Sequence, residues 1–369
     1  MKLEAVELRR IRMSLVAPFE TSFGVQTDRD ILLLRAITDV GDGWGECVAG
    51  EEPTYSSEYV EAAQHVLLHH LLPRLFGQKK LEAGGVARIL RPVHGHQMAK
   101  SAIEMALLDA ELRSRGESFA QFLGAVRPVV DCGVSVGIHK SIPELVDAVG
   151  SYVEQGYLRI KLKIKPGWDI EPVRAVRERF GDILLQVDAN TAYTVDDAHH
   201  LAELDEFGLL LIEQPLPEEQ VLAHAGVAKI VRTPICLDES ITSAQVATDA
   251  IALGACKIIN VKPGRVGGYL EGRRIHDVCA EHGVPVWMGG MLETGIGRAG
   301  NVAMAAMKNF TLPGDTSASD RYYNRDITEP FVLEDGRLRV PAGPGLGVTV
   351  DDEYLESITY WKETIRPSG

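Results

Sequence analysis

What this chain lacks sets its first limits. No apolar run in its 369 residues is long enough to span a bilayer, and Met1-Lys2-Leu3-Glu4 opens no signal peptide, so the expected location is the cytoplasm. Cysteine is scarce: five residues, Cys47, Cys132, Cys236, Cys256 and Cys279, are an odd number without the paired spacing of zinc sites. Buried free thiols are expected. Basic side chains are outnumbered, 38 Lys and Arg against 52 Asp and Glu, and the net charge of −14 argues against a surface built for nucleic acid or anionic membrane. There is no low-complexity segment and no linker of disordered composition. What is present is a hydrophobic content of 45%, ample for a large core.

Five charged residues then stand out for their spacing. Lys163, Asp188, Glu213, Asp238 and Lys262 follow one another at intervals of 25, 25, 25 and 24 residues. Each ends or follows a short apolar run of strand type, such as Leu184-Leu185-Gln186-Val187-Asp188. Between the runs lie stretches of helical spacing, among them Asp196 to Phe207 and Gly267 to His282. Strand, loop, helix and loop in about 25 residues is one βα unit, and continuous apolar strands suit a parallel sheet covered on both faces. The reading is an α/β chain built on a (β/α)7–8 TIM-type barrel. Cys132 to Gly137 supplies a strand before Lys163, Val284 to Met288 one after Lys262, and a poorly marked eighth falls near Asp315.

About 130 residues precede such a barrel and about 45 follow it. Lys2 to Leu15 alternates like a strand, Ile31 to Ala36 reads as another, and helices are expected over Ser56 to Phe76 and Ala99 to Arg115. Strands followed by helices indicate an α+β capping domain. The expected division is 1–125 for the cap, 126–325 for the barrel and 326–369 for a C-terminal segment. That segment, with its Gly- and Pro-rich stretch Phe331 to Val350, is expected to return to the cap and complete it.

Reactive residues of barrels gather at the C-terminal ends of the strands, so the five charges should meet at one mouth. Lys161 and Lys163, two apart on a strand, share its inner face. Three crowded carboxylates cannot all ionise without a cation, and an all-oxygen set favours Mg²⁺, with Mn²⁺ the alternative. Asp188, Glu213 and Asp238 are the candidate ligands, supported by Asn190 and Glu239. Strand order puts Lys163 on one side of that metal and Lys262 on the other. With Lys161 and the metal lowering its pKa, Lys163 could act as a base. Abstraction of a proton α to a carboxylate is the matching chemistry, the metal stabilising the enediolate. Singly, such residues are ordinary solvated loop residues or helix caps. Five in register are not explained that way.

With these residues in hand, the chain resembles the enolase superfamily, in its muconate-lactonizing-like subgroup. Lys161-Leu162-Lys163 resembles its Lys-x-Lys motif; Asp188-Ala189-Asn190, Glu213-Gln214-Pro215 and Asp238-Glu239-Ser240 resemble the metal segments, and Lys262 the opposed lysine. Phe19 to Thr27, Lys262 to Gly268 and Gly289 to Gly295 are similar to the N-succinylamino acid racemase / o-succinylbenzoate synthase family. That resemblance implies two activities in one site: syn dehydration of a hydroxy-cyclohexadiene carboxylate to o-succinylbenzoate, in menaquinone synthesis, and racemisation of N-acylated amino acids. It implies that Arg265 tunes Lys262, whereas its ordinary reading is a surface arginine at a helix start. It further implies that a loop bearing Phe19 and Phe23 closes over the site. Gly50 and Tyr55 would line the pocket for the substrate side chain, and Ser135, Gly290, Met291 and Leu292 the wall near its acyl arm.

Other signals carry less. Gly295-Ile296-Gly297-Arg298-Ala299-Gly300 matches a dinucleotide fingerprint but sits in the seventh barrel loop, without the ribose-binding acid of a Rossmann unit. Neither NAD nor PLP is expected. His65 and His69 lack the Glu of a zinc-protease helix, and His199-His200 reads as solvent-facing. Alternatives are muconate cycloisomerase and dipeptide epimerase; the latter's Asp-x-Asp is missing from Asp315-Thr316-Ser317. Mandelate racemase-like sugar-acid dehydratases place a His where Trp287-Met288 stands. A non-enzymatic, metal-stabilised barrel is a reading of another class, which paired lysines argue against. The expected partners are a small-molecule carboxylate and further copies of this chain in a homo-oligomer.

Overall fold

The cap begins with a long hairpin. Strands β1 (Leu3–Thr21) and β2 (Gly24–Thr38) pair antiparallel from Leu3 and Thr38 to the tip at Thr21 and Gly24, well beyond the segments expected from alternation. Their register breaks between Ser14 and Phe19, where Pro18 offers no N–H to the ladder. Strand β3 (Gly41–Cys47) continues the sheet. A helix, Gln97–Arg115, lies so close on β3 that a Cβ at Gly45 would stand 2.0 Å from the Ala102 carbonyl. Only glycine permits that approach. The structure, a computed structural model, describes residues 1–367.

The helix expected over Ser56 to Phe76 starts later, at Val60, because Pro53 and the serines before it form bends. It widens into a π turn at Leu67–Leu71. Pro73 explains the widening: it cannot donate to the carbonyl four residues back, and the Leu72 amide bonds Leu67, five back, instead.

A short strand, β4 (Val129–Asp131), leads into the barrel. There β5 (Gly133–Val136), β6 (Arg159–Lys163), β7 (Leu184–Asp188), β8 (Ile212–Glu213), β9 (Ile235–Leu237), β10 (Ile258–Val261) and β11 (Val286–Met288) form one parallel sheet in chain order. The seven strands curve round until residues 310–315 fill the gap. Phe310 bridges Val286 on one side and Gly314 bridges Cys132 on the other. The eighth position is thus occupied without a regular strand, as Pro313-Gly314 would require.

The connection expected as a helix over Asp196 to Phe207 is mostly 3₁₀, with an α turn only at Ala198–Leu201. The one expected from Gly267 to His282 is split. Pro263–Val266 forms a short turn of helix and Tyr269–Glu281 the main one, separated by Gly267 and Gly268 at φ +93° and +142°. A Cβ at Gly268 would strike Glu104 of the cap.

The C-terminal tail completes the cap as expected, but its Gly- and Pro-rich stretch gets there by way of the barrel. Strand β12 (Arg337–Arg339) pairs with β4 at the foot of the barrel, and Gly345 and Leu346 then bond the end of the cap helix at Glu117, Phe119 and Asp109. Strand β13 (Thr359–Ile365) closes the cap sheet beside β1, giving the order β13-β1-β2-β3. All five cysteines are buried and unpaired.

Candidate active site

Register places the charges together. Lys163 on β6 is opposite Asp188 on β7, which is opposite Glu213 on β8, so three of the five occupy one row across adjacent strands. Asp238 and Lys262 follow the last residues of β9 and β10. Both Lys161 and Lys163 point inward and are buried.

Each amine meets at least one carboxylate, and Lys161 and Lys163 share Asp188. Lys163 Nζ lies 2.6 Å from Asp188 Oδ2 and 2.6 Å from Asn190 Oδ1. Lys262 Nζ lies 2.8 Å from Asp238 Oδ2, donates to the Tyr55 hydroxyl at 3.0 Å and stands 4.6 Å over that ring. Lys161 sits deeper, 2.7 Å from Asp315, 3.1 Å from Glu213 and 3.3 Å from Asp188, above the buried face of Trp287. Arg265 is no surface residue: it is buried, donates to Asp238 and to the Tyr55 hydroxyl, and fixes the carbonyls of Ile241 and Asn260. Asn190, at φ +43°, turns its amide to Glu239 at 2.9 Å.

The electrostatics follow from burial and from these neighbours. Burial opposes charge on Asp238, yet Arg265 and Lys262 hold its carboxyl below the usual range. Burial likewise opposes charge on Lys161 and Lys262, and their carboxylate partners hold both amines protonated. Glu213 goes the other way: burial first, then Asp188, pushes it up to about 7. Glu239 is pushed up as well, by burial and then by Asp238 and Asp188, and its Oε2 is sealed in without a partner.

In this arrangement no three Asp, Glu, His or Cys side chains among the described residues converge on one point suited to an ion. The carboxylates face amines instead. Their chemistry nevertheless fits a hard divalent cation: the donors are all oxygen, and Glu239 keeps a buried carboxylate oxygen, Oε2, without a partner.

Above the charges lies a cavity of about 680 Å³, counting its open mouth. All eight residues expected to contact substrate, Phe19, Phe23, Gly50, Tyr55, Ser135, Gly290, Met291 and Leu292, line it together with Lys161, Lys163, Asn190 and Lys262. The hairpin tip reaches the barrel, where the Ile138 amide bonds Glu20 and the Ser22 hydroxyl bonds Asn190. A Cβ at Gly50 would meet only the Glu52 carbonyl, at 3.2 Å, so the glycine leaves this wall open.

Sequence reasoning assigned no site role to several members of this wall, among them Asp315, Tyr322 and Arg29. Asp315, expected near the eighth strand and in a segment that lacks the epimerase Asp-x-Asp, accepts from Lys161, Arg159 and Ser135. Tyr322 packs edge-on against Phe19. Arg29 comes from β2 with no motif around it. Among the residues set aside, His65 and His69 are exposed. His200, expected to face solvent, is half-buried and lies 2.9 Å from Asp169. The dinucleotide-like glycines open a helix, Gly295–Ala305, whose first amides are taken by carboxylates: Glu46 accepts from Thr294 and Gly297, and Asp326 from Gly295. Gly300 packs on the Tyr269 hydroxyl, where a Cβ would come within 2.3 Å.

Residues 144–354 match the enolase C-terminal domain-like family, and residues 5–124 match the mandelate racemase / muconate lactonizing enzyme N-terminal domain. The chain belongs to the enolase superfamily. It is 65% identical to an N-succinylamino acid racemase from Amycolatopsis sp. over 97% of this chain and 98% of the relative. It is 46% identical to an o-succinylbenzoate synthase from Geobacillus kaustophilus over 97% and 96%. A solved enolase-superfamily structure from Listeria innocua superposes with a TM-score of 0.95 at 39% identity, covering 99% of each chain. Within the superfamily the chain is therefore an enzyme of the N-succinylamino acid racemase / o-succinylbenzoate synthase family. Enolase-superfamily membership implies a divalent metal ion and a small carboxylate substrate. No helix among the described residues is long and apolar enough to cross a membrane.

Proposed function

We propose that this enzyme racemises N-succinylamino acids by moving the α-proton across the substrate plane, and that the same side chains carry out syn dehydration to o-succinylbenzoate. The observation that carries this reading is the pair of lysines. Lys163 ends β6 and Lys262 follows β10, four strands further round, and each amine is held by its own aspartate. A substrate lying between them presents one face to each. Identity of 65% to a racemase makes that reaction the first choice over the synthase reaction.

Asp188, Glu213 and Asp238 would hold Mg²⁺, with Mn²⁺ as the alternative, and Asn190 and Glu239 would orient them. When bound, the cation supplies positive charge beside the substrate carboxylate and so makes the α-proton more acidic. Lys163 removes the proton from one face; Lys262, oriented by Asp238 and Tyr55, delivers one to the other. In the reverse direction the roles exchange. In dehydration Lys163 removes the proton and gives it to the departing hydroxyl, while the Lys262 ammonium offsets the charge developing on the carboxylate. Phe19 and Phe23 exclude water over the cavity, which strengthens each of these interactions. Arg265 fixes Asp238, and through it Lys262.

The reading takes 1–125 as cap, 126–325 as barrel and 326–369 as the C-terminal segment, in a cytoplasmic homo-oligomer. The test is incubation with Mg²⁺ and N-succinyl-L-phenylalanine in D₂O. Exchange of the α-proton with loss of optical activity is expected. No exchange, together with no o-succinylbenzoate from its hydroxy-cyclohexadiene precursor, would sink it. Lys163→Ala and Lys262→Ala should each abolish racemisation in both directions, by roughly 1,000-fold or more.

A further inference from the structure

Four cationic side chains line the cavity, and three of them are paired. Lys161, Lys163 and Lys262 each lie within 3.3 Å of a carboxylate. Arg29 differs. It is only 3% exposed, yet it makes no salt bridge among the described residues. Its one protein hydrogen bond is long, from Nη2 to the Val48 carbonyl at 3.4 Å, and its Nε is sealed without any acceptor. A guanidinium cannot shed its proton, so a buried one without a counter-ion is strongly disfavoured unless an anion joins it.

The surroundings say where that anion would lie. Arg29 projects from β2 of the cap and belongs to the cavity wall that also contains Met291, Leu292 and Tyr322. Next to Tyr322 in the chain, Tyr323 anchors its hydroxyl on the Leu292 carbonyl at 2.6 Å. Arg29 therefore stands over the loop after β11, apart from the carboxylate cluster on β7, β8 and β9. Position and chemistry both call for a planar, singly charged acceptor such as a carboxylate, which an arginine fork holds with two parallel hydrogen bonds.

We propose that Arg29 is the cap's receptor for a second substrate carboxylate, the terminal one of the succinyl arm, and so makes this enzyme selective for dicarboxylates. The inference rests on the proposed racemase and synthase chemistry, both of whose substrates carry that arm. The reacting carboxylate is held at the barrel and the distal one at the cap. One substrate molecule thereby bridges the two parts, and its correct length favours closure of the hairpin over the lysines. Sequence offers no hint of this role, because Arg29 lies in a plain strand between two aspartates.

The test compares N-succinyl-L-phenylalanine with N-butanoyl-L-phenylalanine, which has the same acyl chain ending in methyl instead of carboxylate. Wild-type enzyme with Mg²⁺ should favour the succinyl compound. In Arg29→Met the ratio of the two kcat/KM values should fall about 100-fold, mostly through KM for the succinyl substrate, and Arg29→Lys should restore part of it. A merely structural role for Arg29 would lower both substrates together. A ratio within about twofold of wild type in Arg29→Met overturns the proposal. Failure of the racemase and synthase reading looks different: wild type would turn over neither amino acid derivative nor the synthase precursor.

Discussion

One hydroxyl, that of Tyr55, shows how tightly single residues are tied to the chemistry. It accepts from Lys262 and Arg265 and faces both oxygens of Asp238, while its ring lies beneath the Lys262 ammonium. Tyr55→Phe keeps the ring and removes the hydroxyl. Racemisation should fall about tenfold while unfolding free energy in urea changes by no more than about 1 kcal/mol, because the cations retain Asp238. Gly289 constrains the same amine by absence, since a Cβ there would come within 2.7 Å of Lys262 carbons. At this scale the sequence spoke clearly about Lys163, Asp188, Glu213, Asp238 and Lys262, whose strand positions repeat. It was silent on Arg29 and Glu46, because a charged residue within a cap strand resembles any solvated strand residue until the partner element is placed against it. Tyr55 was read as a wall for the substrate side chain, and the structure adds its bond to Lys262.

Among elements, the joint between β3 and the helix Gly295–Ala305 is the most consequential. Glu46 of the cap caps this barrel helix through the amides of Thr294 and Gly297, in the position a phosphate would take in a nucleotide-binding loop. Burial lifts its carboxyl to about 7, with Glu293 adding to the rise and Thr294 opposing it. Glu104, buried beneath the helix Tyr269–Glu281, is lifted to about 7 as well. The folded protein thus holds protons near neutrality that the unfolded chain has already released. Stability from these groups is fully present below the unfolded glutamate range and is lost as pH climbs through 7, by about 3 kcal/mol for each. Urea unfolding between pH 5 and 8 should show that decline, and Glu46→Gln should remove about half of it. Elements were otherwise legible where local rules held. The barrel strands followed from their apolar runs, whereas the 3₁₀ connection at 195–207 and the π turn before Pro73 depend on hydrogen bonds that periodicity does not report.

For the whole molecule, the divalent ion proposed at the strand ends links chemistry to stability. If Asp188, Glu213 and Asp238 bind Mg²⁺ in the folded chain alone, saturating Mg²⁺ at about 100 times its Kd adds about 2.7 kcal/mol. Thermal unfolding should shift upward by a few degrees with Mg²⁺ over EDTA, and Asp188→Asn should erase the shift. The barrel was readable from the 25-residue interval, but its closure through residues 310–315 was not, because Pro313-Gly314 carries no strand signal. Nor was the splitting of the tail, whose strand β12 goes to the barrel's foot while β13 joins the cap. That last pairing has a temporal side. On the ribosome β1 emerges before the barrel and β13 only after it, roughly half a minute later at ~10 residues per second. Throughout that interval β1 is an unprotected edge, the kind of strand that recruits other nascent chains. Its charges, Glu4, Glu7, Arg9, Arg10 and Arg12, then act as guards during synthesis. Once β13 arrives, Arg9 is engaged by Glu356 just before the new strand, and Asp30, the partner of Arg10, by Tyr360 within it.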